Sequence, residues 1–311
     1  MGRVIARRLL LLVANLVVLT FVMFAAMSSW LGSPSMMMLG RDAAPEAVQE
    51  MDARLGLDQP LAMQYARWVA AALHGDLGRS YATQQPVTAL VGPAIPVTLE
   101  LAALAISVAV LLSVGVNSIA VGRRIISPVV AGLGLIGVTT PNFMLGASMI
   151  YVLSIRLHWL PTTGWSPWGQ GAVPHALHLL MPVLTLCAFY SSAFSTVYRA
   201  EYRNAARQIF VRAAQAKGLT DTRVSFRHIL PNAVLPVITY AGISLGQLVG
   251  GAVVTETMFS IPGVGRLLVT AITSYDYPVI LALTLLILTG VAVANAAADM
   301  LYVRFNPQVR I

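Results

Sequence analysis

Charge is scarce in this 311-residue chain: only 10% of its residues are Asp, Glu, Lys or Arg, against roughly 25% in a soluble domain. With 57% hydrophobic residues and a mean hydropathy of +0.76, the composition excludes a soluble globular enzyme. Cysteine is nearly absent. Cys187 stands alone in an apolar run, which excludes an intrachain disulfide and any cysteine-built metal or iron-sulfur site and leaves it as a small packing residue. Lysine is equally rare: Lys217 is the only one, and Gly218 rather than Ser or Thr follows it. A phosphate-cradling loop needs its lysine in a glycine-rich turn, so any ATP that drives this protein is bound by another polypeptide. Neither a Gly-x-Ser-Gly nucleophile turn nor a His-Glu-x-x-His zinc motif occurs, which argues against an intramembrane protease.

What the chain has is long apolar runs. A helix crossing a bilayer core of ~30 Å needs ~20 apolar residues, and six segments qualify: Leu9 to Trp30, Val97 to Val121, Ile126 to Leu153, His175 to Tyr198, Val234 to Met258 and Val279 to Val303. Arg3, Arg7 and Arg8 precede the first, as in a signal peptide, but the run is longer than the ~7 to 15 residues of such a leader, and it reads as an uncleaved first span. Basic residues are retained on the cytoplasmic side. With the N-terminus inside, the inner segments hold Arg3, Arg7, Arg8, Arg123, Arg124, Arg199, Arg203, Arg207, Arg212, Lys217, Arg223, Arg227, Arg304 and Arg310, and the outer ones only Arg41, Arg54, Arg67, Arg79, Arg156 and Arg266. The expected fold is all-α and polytopic, with six transmembrane helices and both termini cytoplasmic.

Three regions follow: residues 1–30 with the first span, an extracytoplasmic segment over 31–96, and a core over 97–311 that contains an inner loop at 199–233. In the outer segment Pro45 opens one short helix to about Arg54, and Pro60 opens a second that Gly75 ends. Leu61, Tyr65, Trp68 and Val69 share one face of that second helix, suited to lie on the membrane surface or on the spans. In the inner loop Ala205, Ala206, Ala213, Ala214 and Ala216 favour helix, and Pro231 is suited to start the fifth span. The plainest role for its seven basic residues is attraction to anionic lipid, worth about 1 kcal/mol each near the surface.

Within the spans, Gly242, Gly246 and Gly250 recur every four residues and predict close helix packing. Ala292, Asn295, Ala296 and Asp299 form a comparable face in span six. Thr139, Thr140 and Asn142 flank Pro141, which can kink span three; these three, with Ser191, Ser195 and Gln247, serve equally as pathway lining or as interhelical glue, as do Ser192 and Thr196. His175 and His178 could share a face as metal ligands, but no third ligand lies near in sequence, and no metal is expected. Glu100 and Glu256 fall near outer span ends and Asp299 near an inner end. An acid-poor midplane disfavours a proton-driven secondary carrier.

Residues 212 to 231, Arg-Ala-Ala-Gln-Ala-Lys-Gly-Leu-Thr-Asp-Thr-Arg-Val-Ser-Phe-Arg-His-Ile-Leu-Pro, resemble the EAA loop of binding-protein-dependent ABC importer permeases. Ala213, Ala214, Gly218, Leu230 and Pro231 fall in register with that motif, while Arg212 replaces its Glu and His228 its Ile. Both departures are similar to the peptide and nickel (DppB/OppB-type) branch, as are Arg227, Asn232 and Pro236. Further stretches agree: Leu-Gly-Leu-Asp-Gln-Pro-Leu from Leu55, Gly-Asp-Leu-Gly-Arg-Ser from Gly75, Pro-Val-Thr-Leu-Glu-Leu from Pro96, Glu-Thr-Met-Phe-Ser-Ile-Pro-Gly-Val-Gly-Arg-Leu from Glu256, and Asp276, Tyr277 and Pro278.

The resemblance implies a permease subunit that pairs with a second homologous permease, two cytoplasmic ATPase subunits carrying ATP and Mg, and an extracytoplasmic solute-binding protein, within membrane lipid and without nucleic acid. It also implies that Arg212, Ala213, Ala214, Ala216, Lys217, Gly218, His228, Leu230 and Pro231 belong to an ATPase-coupling loop. Small Ala side chains permit close docking, Gly218 permits a sharp turn, and Arg212, Lys217 and Arg223 offer charge to an acidic rim. The rival readings are an ion-coupled secondary transporter and a channel or scaffold without energy coupling.

Overall fold

A computed structural model describes residues 2–30, 34–40, 43–120, 132, 137 and 139–305. Arg41, Asp42, Arg123, Arg124, Arg310 and most of the first half of the third predicted span lie outside the described residues, as do the side chains of Arg3, Arg7, Arg8, Asp299 and Arg304. Among the described residues all extended elements are helical. In chain order they are α1 (Gly2–Trp30), α2 (Pro34–Leu39), α3 (Pro45–Leu55), α4 (Leu61–Leu73), α5 (Val87–Ala120), α6 (Asn142–Met149), α7 (Ala172–Ala206), α8 (Ile209–Ala216), α9 (Asp221–Val224), α10 (Leu230–Gly251), α11 (Val253–Met258), α12 (Val264–Thr273) and α13 (Tyr277–Phe305). Wide turns over Ile150–Arg156 and Ser225–Ile229 extend α6 and join α9 to α10. Four helical stretches have the length and apolarity to cross a membrane: Val87–Ile119, Ala172–Ala206, Asp221–Leu248 and Tyr277–Ala296, with a shorter apolar helix over Val13–Met27.

The described chain forms two compact units. The first comprises residues 1–97 and 262–292. Its core gathers Met27 of α1, Val87, Val91 and Ala94 of α5, Val264 and Ala271 of α12, and Tyr277, Ile280 and Leu283 of α13. The spacing of Val87, Val91 and Ala94 explains why α5 starts at Val87 and not at Val97: a helical face of three buried residues outweighs Pro93 and Pro96, which lie inside the helix rather than before it. The outer-segment helices match their prolines, since Pro45 is the first residue of α3 and Pro60 precedes α4.

The second unit comprises residues 98–261 and 293–311, and α7 and α10 pack side by side in it. Here the reading of Pro141 changes. It does not kink a continuous helix; with φ −58° and ψ 137° it caps the start of α6, and its carbonyl accepts the Met144 amide at 3.0 Å. An extended residue before the helix spares Pro the clash it would make with a carbonyl one turn back. Two glycines outside the expected stripe lie close to neighbouring side chains or backbone. A Cβ on Gly137 would stand 2.3 Å from Ser192 Oγ and 2.8 Å from the Ala188 carbonyl, and one on Gly146 would stand 2.7 Å from Met258 Sδ.

Candidate coupling surface

The 199–232 segment is almost wholly helical. α7 runs past its predicted end at Tyr198 to Ala206, so Arg199 and Arg203 ride on the helix and not in a loop. Arg207 and Gln208 then turn the chain, with the Arg207 amide donating to the Asn204 carbonyl and the Gln208 amide to that of Ala205. In α8, Val211 and Ala214 are one turn apart and both buried, packed with Ala205, Val224 and Ile229, while Tyr202, Ala206 and Leu219 close the cluster. Apolar residues three apart share a helix face, which fixes the side of α8 that turns inward.

The end of α8 is a Schellman turn. The Gly218 amide donates to the Gln215 carbonyl at 2.9 Å and the Leu219 amide to the Ala214 carbonyl at 3.3 Å. Gly218 has φ +80°, with no heavy atom within 4 Å of the position a Cβ would take. Its requirement for glycine is therefore one of backbone conformation and not of space. The turn also returns Leu219 to the cluster beside Ala214, the apolar contact that accompanies this cap. Between α9 and α10 the wide turn Ser225–Ile229 precedes Pro231, the second residue of α10. A widened turn accommodates a residue that lacks an N–H and crowds the preceding carbonyls. The Tyr202 and Ser225 hydroxyls pair at 2.7 Å and tie α7 to that turn.

The outward side of α8 presents Ile209, 83% exposed, and Phe210, 41% exposed, together with exposed Arg212, Ala213, Ala216 and Lys217. Exposed Phe226, Arg223 and Arg227 lie on the neighbouring segment. Two of the small residues therefore face out and one does not: Ala214 is 5% exposed and belongs to the internal cluster. His228 and Leu230 are half-buried and Pro231 is exposed; the Asn232 amide Nδ2 donates to the His228 carbonyl at 2.7 Å. Ile209 and Phe210 were not singled out in the sequence, although the offset of Ile209 from Val211 and Ala214 places it on the other face; Phe210, one turn before Ala214, stands at the edge of the buried face. An exposed apolar pair on a helix that also exposes Arg212 and Lys217 suits docking to a protein surface with an acidic rim.

The residues read as pathway lining differ in exposure and in bonding. Ser195 is buried and accepts the Asn117 Nδ2 at 2.9 Å, a bond between α5 and α7. Ser191 Oγ donates to the Ala188 carbonyl of its own helix, Thr139 and Gln247 are exposed, and Thr140 and Asn142 are half-buried. On α10, Gly246 is buried and Gly242 half-buried, and Gly250 lies further along the same helix.

Two polar clusters were not legible in the spacing. His175, 2% exposed, has Nδ1 2.7 Å from the Ser166 carbonyl and Nε2 3.0 Å from Glu100 Oε1. A carbonyl only accepts, so the imidazole donates to it from Nδ1. Trp168 stacks on the imidazole at 4.1 Å and donates from Nε1 to Glu100 at 2.9 Å. His178 turns to its own helix, at the Pro174 carbonyl. In the first unit, buried Asp276 accepts the Ser80 hydroxyl and, at 2.9 Å, the Tyr81 amide. Burial, and then the Asp276 charge, push the Tyr81 phenol above its usual range.

Comparison with known proteins covers both halves of the chain. Residues 118–311 match the family model of binding-protein-dependent transport system inner membrane components, and residues 1–102 match the N-terminal model of the same components. A probable peptide ABC transporter permease protein of Sinorhizobium fredii is 32% identical over the full length of both chains. A glutathione transport system permease protein of Salmonella paratyphi A is 33% identical over 98% of each. In the crystal structure of an amino acid ABC transporter with histidines, one chain superposes with a TM-score of 0.52 over 71% of this chain and 95% of its own, at 16% identity, a likeness of fold.

Proposed function

The chain belongs to the family of binding-protein-dependent transport system inner membrane components, and on that premise we propose that it is the permease subunit of an ATP-driven importer of peptides or a related small solute. It spans the membrane six times with both termini in the cytoplasm, pairs with a second homologous permease, receives solute from an extracytoplasmic binding protein, and engages cytoplasmic ATPase subunits that bind ATP and Mg. The peptide class is supported by relatives named for peptide and glutathione transport. The chain itself performs no covalent chemistry.

The observation that carries the coupling role is the construction of α8. Its inner face is packed into a cluster with α9 and the turn before α10, its end is locked by the Gly218 turn, and it exposes Ile209 and Phe210 together with Arg212 and Lys217. A displacement imposed on such a helix passes to α10 through Val224 and Ile229 and to α7 through Tyr202 and Ser225, instead of dissipating in a loose loop. Closure of the ATPase pair on ATP then switches the permease pair between inward-facing and outward-facing states.

Co-purification tests this role. The ATPase subunits should be retained by the native chain and lost by the double variant Ile209→Asp, Phe210→Asp, with the chain still in the membrane at normal yield. Equal retention by both would overturn the docking assignment.

A further inference from the structure

The helix α4 is apolar on its inner side and, apart from exposed Arg67, on its outer side. Its inner side lies on α1: the Tyr65 hydroxyl donates to the Val17 carbonyl at 3.0 Å and pairs with Thr20 Oγ1 at 2.8 Å, and its ring meets Phe21 and Phe24 edge-on at 5.2 and 5.8 Å. The opposite side carries exposed Ala62, Ala66 and Ala70, with Met63 56% and Leu73 82% exposed. A helix with apolar residues on both sides suits a protein core or lipid, and a long basic side chain such as Arg67 can reach from there to the interface.

Depth decides between water and lipid. Thr20 lies ten residues before Trp30, the end of the first apolar run, which at 1.5 Å per residue is about 15 Å and half of a ~30 Å hydrocarbon core. Around that level α1 exposes Val17, Val18, Leu19 and Val22, an apolar surface of the kind lipid covers, and α4 is attached beside it. The polar side chains on and just after α4 bond nearby backbone or, for exposed Arg67, reach back toward the preceding turn. Gln64 Nε2 donates to the Leu57 and Gln59 carbonyls at 3.0 and 2.7 Å, the ring of His74 bonds the Ala70 carbonyl, and the Arg67 guanidinium reaches back over Gly56, as long basic side chains do at an interface.

We propose that α4 is embedded in the outer leaflet, with Ala62, Met63, Ala66, Ala70 and Leu73 facing lipid acyl chains, so that the segment after the first span is anchored in the membrane and does not stand free in water. The proposal rests on α1 being a membrane span.

Spin labels placed singly at Ala66→Cys and Ala70→Cys in a Cys187→Ala background, with the chain in lipid vesicles, test it by collision with oxygen and with a water-soluble nickel chelate. Val18→Cys is the lipid reference and Ala53→Cys on exposed α3 the water reference. The expected oxygen-to-nickel ratio at Ala66 and Ala70 is shifted to that of Val18, opposite to that of Ala53. A ratio like that of Ala53 would overturn the proposal, as would exclusion of both reagents, which would place another protein surface there. Nickel access at Val18 itself would overturn the span reading, and this proposal with it.

Discussion

The backbone amide of Tyr81 donates to Asp276 Oδ1 at 2.9 Å across 195 residues of sequence. The same carboxylate accepts the Ser80 hydroxyl, which in turn accepts the Thr83 amide at 3.0 Å. The end of α12 is thereby bound to the loop that leads into α5. Asp276 also completes a Schellman turn with its own amide, at 2.8 Å from the Ala271 carbonyl, over Tyr275 at φ +53°.

Removing that carboxylate should loosen the first unit. Hydrogen bonds to a buried charge contribute about 1.5 to 3 kcal/mol each, so Asp276→Ala is expected to destabilise by on the order of 3 kcal/mol, with Asp276→Asn in between because its amide oxygen still accepts. Thermal unfolding of the purified chain measures this. A transition unmoved by Asp276→Ala would show that the loop is held by its other contacts.

The sequence makes the long apolar helices legible because apolar runs are long and charges bound them, and Pro45 and Pro60 mark the starts of α3 and α4 by fixed backbone preferences. Gly218 was readable for the same reason. What stayed hidden depends on distant partners. Ser80 and Asp276 were visible only as separate stretches, and nothing local says that one caps the other. Glu100 was read as an acid near a span end, yet its role comes from His175 and Trp168. The inward turn of Ala214 follows from Val211 and Leu219 together, a pattern hidden by the run of alanines around it. Gly137 and Gly146 lack the repeat that made Gly242, Gly246 and Gly250 conspicuous, although close approach is a property of the neighbour and not of the period.

That contrast predicts different penalties for adding bulk. Gly146→Leu should reduce the yield of folded chain, since its added bulk meets Met258, Phe259 and Thr185 together. Gly115→Leu, at a position with open space around it, should be tolerated. Quantitative blotting of detergent-extracted, monodisperse protein compares them, and equal yields would show that the approach at Gly146 relaxes freely.

The His175 cluster should hold the segment that carries Ser166 and Trp168. His175→Phe keeps an aromatic ring for Trp168 to stack on but removes the bonds to Ser166 and Glu100, leaving the Ser166 carbonyl without its imidazole donor. Limited proteolysis between residues 157 and 171 should become faster in the variant. An unchanged cleavage rate would mean that packing alone secures the segment.

The central claim is that the backbone turn at Gly218 holds α8 in the geometry through which ATP hydrolysis is coupled to transport. Its most direct test compares two side chains at that position in the reconstituted importer, reading solute-stimulated ATP hydrolysis. Space is not limiting there, so only conformation separates the variants: Asn enters the left-handed region readily, whereas branched Val is strained by about 1 to 3 kcal/mol. Gly218→Asn is expected to keep most of the stimulation, and Gly218→Val to lose it while the chain remains in the membrane at normal yield. Full stimulation in Gly218→Val would contradict the account.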